Sequence, residues 1–382
     1  MNRTYNFQVD NGIFVAEYYL KKKYEDITVG DLKENVEIFA DKMFSYNQLG
    51  TLSSTTHHNT VLTQNKKNKK MVSQQLNTLL DNIGSDKTCF ICGEKRVNLE
   101  DVELLYKKNK DIGQLPYSSL LFGLASHNSF MNRSNNMQTI DVCPVCLFLS
   151  YISFLNTRKI SYPFLYNSDS DDFMRDTTKD IQVELSKGVL LDLKMEDMNK
   201  QFIQEMSNIM MKEDLYDDLQ YINLISFSNG KSNMVEDVTI DRDKLIMLMK
   251  LKNKGLMPEF YKRKMFKLLL SDRNLITYLA NGIKYGVCSI EMYKFLRGYF
   301  MTSKEIELVE QVTNNLIKNN DINKVKSDIS LVKGKMDFKN FLIKYTKNGN
   351  IVDSLLDMDI MIKNNYDFKD YITLNLNLKG DN

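Results

Sequence analysis

Thr88-Cys89-Phe90-Ile91-Cys92-Gly93 and Asp141-Val142-Cys143-Pro144-Val145-Cys146 decide how the first half of this chain is read. They hold four of the five cysteines in 382 residues. Two Cys-x-x-Cys pairs supply the complete tetrahedral thiolate set of a zinc ion, and the small Gly93 lets backbone amides turn toward the sulfurs. The second pair runs directly into an apolar stretch that reads as a helix. Facing knuckles of this kind make a Zn(Cys)4 site with Cys89, Cys92, Cys143 and Cys146 as ligands and structural Zn2+ as cofactor. Four reduced core thiols, or a redox pair, are the competing readings; two independent pairs at ligand spacing in a cysteine-poor chain favour the metal. Four thiolates fill the coordination sphere, which leaves no open position for a catalytic water.

The 50 residues from Gly93 to Val142 exceed what a compact zinc ribbon needs. Within them Ser126–Gln138 is dense in amides and carries Asn128, Asn132, Arg133, Asn135 and Asn136. It reads as a long polar loop anchored by the second knuckle. A nuclease of the HNH type would place its motif between such pairs, and His127-Asn128 does lie there. That chemistry requires a histidine base plus further Asp, Asn and His groups on a divalent ion. His127 has no acidic neighbour and no later histidine, and His57-His58-Asn59 lies outside the pairs. No Gly-rich phosphate loop or nucleophile elbow is present, and Cys288 reads as a small buried residue. The expectation is a binding protein, not an enzyme.

Upstream of the knuckles, residues 13–24 and 30–45 read as amphipathic helices, the second opened by the capping box Thr28-x-x-Asp31 and carrying Leu32, Val36, Phe39 and Met43 at helical spacing. Residues 51–64 are β-prone and polar. The cluster Lys66, Lys67, Lys69 and Lys70 then leads into a helix through Leu76, Leu79, Leu80 and Ile83. Downstream, residues 181–193 and 219–240 read as strands, the latter broken at the hairpin signal Asn229-Gly230. From Asp241 the periodicity turns helical, with helices expected over 241–254, 258–270, 272–285, 289–299, 303–319, 321–331, 336–346 and 351–364. The fold class expected is α+β: a mixed α/β domain over 1–240 with an inserted Zn(Cys)4 region at about 85–150, followed by an α-helical bundle over 241–382.

Hydrophobic residues make up 43% and charged residues 26%, the composition of an ordinary globular protein. No apolar run approaches the ~20 residues needed to span a bilayer, and no secretory signal pattern opens the chain, so a cytoplasmic location without membrane partners is expected. The net charge of +2 is unevenly placed. Residues 241–382 carry 25 Lys and Arg against 17 Asp and Glu, while residues 1–240 carry 26 against 32. A basic second unit points to an anionic partner, nucleic acid first, although a solvated lysine-rich surface gives the same count. Lys262, Arg263, Lys264 and Lys267 cluster in one predicted helix and are its candidate phosphate contacts.

Phe7–Ile13, the two cysteine knuckles and Tyr221–Gly230, three stretches in that order, together resemble one family, the large subunit of the type I-B CRISPR surveillance complex, Cascade. Phe7-Gln-Val-Asp-Asn-Gly-Ile13 is similar to the Phe-Val-Asp-x-Gly-Ile opening of that family, with Gln8 standing where an apolar residue or proline is usual. The two knuckles about fifty residues apart are the second, and Tyr221-Ile-Asn-Leu-Ile-Ser-Phe-Ser-Asn-Gly230 resembles the family's strand ending in Phe-Ser-Asn. The resemblance implies a non-enzymatic subunit of antiviral defence that checks the protospacer-adjacent motif, helps open the duplex into an R-loop, holds the displaced strand and docks the helicase-nuclease. Its implied partners are CRISPR RNA, target DNA, that helicase-nuclease, and the backbone, handle-binding and small subunits. The carboxy-terminal bundle would resemble the small subunit. Within that reading the amide-rich loop is the candidate reader of the adjacent motif from the minor groove, with Lys66–Lys70 as the candidate holder of the adjacent phosphates. A zinc-knuckle nucleic-acid-binding protein unrelated to CRISPR is the alternative, and an HNH-like nuclease the third.

Overall fold

A computed structural model describes residues 1–48, 69–97, 142–159, 163–187, 217–229, 233–262, 265–270, 275, 289–346, 361 and 365–379. Among the described residues the chain is helix-rich with two small antiparallel sheets, and it divides into two compact units, Met1–Arg242 and Asp243–Asn382.

Helix α1 spans Phe7–Leu20 and starts six residues earlier than its apolar periodicity announces. Asn6 caps it, its side chain accepting from the amides of Gln8 and Val9 at 3.1 Å. Gln8, Asp10, Asn11 and Gly12 look like loop residues, yet all are buried. Asp10 accepts from Arg3 Nε, Thr4 N, Thr4 Oγ1 and Tyr5 N at 2.8–3.2 Å, so its charge is fully partnered. Asn11 donates to the carbonyls of Phe7 and Tyr166 at 2.7 Å, and its own oxygen accepts from Asn156 at 2.6 Å. Gly12 has no side chain because none fits: a Cβ there would meet the Leu149 carbonyl oxygen at 2.0 Å. The amino-terminal stretch that carries the family resemblance is thus a packing device.

The next expected helix is two, α2 at Val29–Glu34 and α3 at Val36–Gln48, interrupted at Asn35. Thr28 and Asp31 form the capping box. Leu32, Val36, Phe39 and Met43 are all buried, so the break at Asn35 leaves the apolar stripe in the core. Helix α4 covers Lys69–Asp81 and packs on α3 and on α5, Pro144–Ile152. Every residue of α5 is buried. At roughly 1.5–3 kcal/mol for each large apolar side chain removed from water, this short helix is the apolar centre of the unit.

A 3-10 turn, Ser153–Asn156, leads to a four-stranded antiparallel sheet in the order β3 (Arg158–Lys159), β4 (Pro163–Ser168), β5 (Tyr221–Asn229), β6 (Asn233–Asp241). The hairpin expected at Asn229-Gly230 is β5–β6, with Asn229 opposite Asn233 and Tyr221 opposite Asp241. The strand expected at 181–193 is overturned as far as the chain is described. Residues 181–186 end helix α6, Asp171–Ser186, which is capped by Ser170 and buries Phe173, Met174, Thr177, Thr178, Ile181 and Gln182 at helical spacing. Arg3 ties the start of the chain to this layer by donating to the carbonyls of Ser168 and Asp169 and to the Asp171 carboxylate at 2.5–3.1 Å.

In Asp243–Asn382 every described element is a helix: α7 (Arg242–Asn253, entered from the first unit), α8 (Met257–Lys262), α9 (Met265–Leu270), α10 (Ile290–Phe300), α11 (Ser303–Asn319), α12 (Ile322–Ser330), α13 (Lys335–Tyr345) and α14 (Asn365–Lys379). The helix expected over 258–270 appears as α8 and α9. Those expected over 272–285 and 351–364 fall almost wholly outside the described residues, and α14 has no counterpart in the sequence reading. Packing follows one-sided stripes, as in α11, where Val309, Thr313 and Leu316 are buried. Helix α14 packs against α11, α12 and α13, and Tyr293 donates to the buried Asn375 at 2.7 Å.

Candidate metal centre

The two Cys-x-x-Cys pairs are brought together by different local devices. The first lies on a two-stranded hairpin, β1 (Lys87–Thr88) and β2 (Lys95–Val97), whose turn is the knuckle itself. Cys89 N donates to Glu94 O at 2.8 Å and Gly93 N to Cys89 O at 3.0 Å. Gly93 sits at φ +72°, where a side chain would be strained, and this turns the chain back into β2. The Cys143 and Cys146 side chains, and to a smaller extent the backbone amide of Glu94, lower the Cys92 thiol.

The second pair uses a helix N-terminus. Cys143 is the N-cap of α5, its sulfur accepting from Cys146 N at 3.4 Å, and Pro144 occupies the first helical turn without sacrificing a hydrogen bond. At this position the Cys146 amide and the helix dipole both act on the Cys143 sulfur in the sense that favours negative charge. Cys143 N also donates to the Cys89 sulfur at 3.2 Å, a direct link between the knuckles.

All four sulfurs lie within 4.8 Å of one another. Cys89 Sγ is 3.8 Å from Cys146 Sγ, and Cys92 Sγ is 3.7 Å from Cys143 Sγ. Ligands placed tetrahedrally at 2.3 Å from zinc stand about 3.8 Å apart, so the separations match a metal cage and far exceed a disulfide bond. Cys89, Cys143 and Cys146 are at most 1% exposed, and Cys92 is half-buried. Charge reinforces the argument. Interactions with Cys143, Cys146 and Cys92 lower the Cys89 thiol, while those with Cys143, Cys89 and Cys92, together with burial, raise that of Cys146. Four sulfurs this close cannot all ionise among themselves, and a divalent cation at their centre removes the conflict. The residues present fit a closed metal site.

Of the other sequence-derived candidates, Lys66, Lys67, Asn128, Asn132, Arg133, Asn135 and Asn136 lie outside the described residues, as do Arg263, Lys264, His57, His58 and His127. Lys69 opens α4 and pairs with Asp41 at 2.8 Å; Lys70 beside it is exposed. Lys262 is exposed at the end of α8, and Lys267 lies within α9. Sequence reading does not anticipate the hairpin that frames the first knuckle. Its signal is Glu94-Lys95-Arg96-Val97, a short polar run closing on one buried valine after the Cys-Gly turn.

No helix among the described residues is long and apolar enough to cross a membrane. No protein-family model matches the chain, and neither a curated protein nor a solved structure matches it.

Proposed function

We propose that this chain is the non-catalytic large subunit of an RNA-guided DNA surveillance complex of the type I-B kind, an α+β protein whose knuckles hold structural zinc. The observation that carries the reading is the closed four-sulfur cage. It clamps both ends of residues 93–142 to a hairpin and to the fully buried α5. A saturated thiolate site supplies folding free energy and no open position for chemistry. The order of features supports the assignment to this family: the Phe7–Ile13 opening, the two knuckles, the strand ending Phe227-Ser228-Asn229, then helices bearing net positive charge. In this reading the clamped segment with Asn128, Asn132, Arg133, Asn135 and Asn136 inspects the adjacent motif. The cations of the carboxy-terminal unit track the phosphates of the displaced strand in the cytoplasm.

The test is reconstitution with backbone, handle-binding and small subunits and a CRISPR RNA. The expected result is incorporation of zinc-loaded protein and opening of a target duplex only when this chain is present, without cutting. Failure to join the complex would refute the assignment, as would divalent-ion-dependent nicking by the isolated protein. Strand binding without assembly would leave the zinc-knuckle protein unrelated to CRISPR as the better description.

A further inference from the structure

Phe90 is 75% exposed, on a segment where its neighbours are held firmly. Cys89 is buried, Ile91 packs against the apolar core, and the turn is closed by Cys89 N to Glu94 O and by Gly93 N to Cys89 O. The knuckle thus turns Ile91 inward and Phe90 outward, and fixing its sulfurs fixes the ring. Exposing a phenyl ring forgoes burial worth roughly 1.5–3 kcal/mol, and a ring held in one place by a clamped turn can meet a partner with little further loss of freedom. Among the described residues of this hairpin it is the one exposed apolar side chain, beside charged ones: Lys87, Glu94 and Lys95 are exposed, Arg96 is half-buried and Val97 is buried. A protein-docking surface sets its aromatic anchor within further apolar side chains. A rigid ring on a hairpin that carries exposed lysines fits an unpaired nucleobase, whose face stacks on any aromatic while the strand's phosphates meet lysine.

We propose that the first knuckle is a base-stacking site for single-stranded nucleic acid, with Phe90 as the platform and the exposed Lys95 as a phosphate contact. It deepens the nucleic-acid reading above by naming the ligand class and the residue. Asp86 and Glu94 offset the hairpin's cations, since residues 84–97 carry three Lys and Arg against two acids. Stacking therefore supplies most of the affinity, and the salt dependence of the site is shallow.

The experiment uses the full zinc-loaded chain with fluorescein-labelled 15-nucleotide oligo(dT) and an abasic strand of the same length, with zinc content measured for every variant. Phe90→Ala is expected to weaken oligo(dT) binding about 5- to 30-fold. Its affinity for the abasic strand and the slope against salt stay as in the wild type, and Phe90→Trp restores binding. Equal oligo(dT) affinity in the wild type and Phe90→Ala, at full zinc content, overturns the stacking site. So does a parallel loss on the abasic strand, which would mark a phosphate effect. A Phe90→Ala protein that keeps strand affinity but fails to enter the reconstituted complex would make the ring a protein anchor and overturn the inference while leaving the proposed function standing. A wild-type protein that binds neither strand, yet assembles and opens the duplex, would do the same.

Discussion

Helices α5 and α11 bury their residues by opposite means. Each of the nine residues of α5 is inaccessible, and its neighbour α1 holds Gln8, Asp10 and Asn11 at zero exposure. Helix α11 buries a stripe of Val309, Thr313 and Leu316 and leaves Ser303, Lys304, Glu307 and Lys318 in water. The first unit is thus held by partners distant in sequence: a four-sulfur cage closed across 57 residues and an Arg3–Ser168 hydrogen bond across 165. The second relies more on local signals, such as the Thr302–Glu305 capping box and the Arg297–Glu310 pair at 2.6 Å. Distant partners make a unit vulnerable at single atoms, whereas local signals spread the stability thinly.

The largest expected effect separates the units directly. Cys146→Ser removes a buried ligand and should cost the first unit several kcal/mol, giving substoichiometric zinc and rapid proteolysis within Met1–Arg242. Fragments from Asp243–Asn382 should survive. Full metal content and unchanged protease resistance would break the contrast. Gly12→Ala comes next, because the Leu149 carbonyl occupies the space of the added methyl; about 3 kcal/mol is expected from chemical denaturation, with zinc still bound. A cost below about 0.5 kcal/mol would mean that α1 and α5 can part easily. Thr302→Ala should cost only about 1 kcal/mol, confined to the second unit, since the two exposed bonds of its hydroxyl with Glu305 disappear and water replaces them. Smallest in stability is the combined replacement of Lys262, Arg263, Lys264 and Lys267 by Ala. It should leave the denaturation midpoint in place while flattening the salt dependence of DNA binding by about one unit of slope for each phosphate these side chains neutralise. An unchanged slope would reassign those cations to solvent.

The same contrast explains which elements the sequence announces. Thr302-x-x-Glu305 and the stripe beyond it mark α11 at its observed bounds, because a half-exposed helix writes its period into the sequence. Asn229-Gly230 likewise marks the β5–β6 hairpin. The apolar period places the start of α1 too late because Asp10 and Asn11 are polar for tertiary reasons, serving Arg3, Tyr166 and Asn156. Ile181, Val183 and Leu185 alternate like a strand, yet α6 buries Ile181 with Thr177 and Thr178 and leaves Val183 and Leu185 at its margin. Strand β4 leaves no such mark, since Phe164, Leu165 and Tyr166 are buried on both faces and show no alternation. The cysteine cage is legible from spacing alone, as metal ligation tolerates few substitutes. The outward turn of Phe90 is not, for nothing in Cys-Phe-Ile-Cys says which middle residue meets the core.

The reach of Arg3 has a consequence for synthesis. Its carbonyl partners Ser168 and Asp169 are made long after α1, on the order of 10–30 s later at ordinary rates of elongation. Throughout that interval the apolar face of α1 has no sheet to cover it. Cys146 emerges earlier, and a metal captured there would fasten α5 to the β1–β2 hairpin before β4 exists, giving α1 a surface to lie on. On this schedule a metal bound at the four sulfurs would act as a timekeeper for the growing chain, and a cell short of it would accumulate nascent first units open to chaperones and proteases.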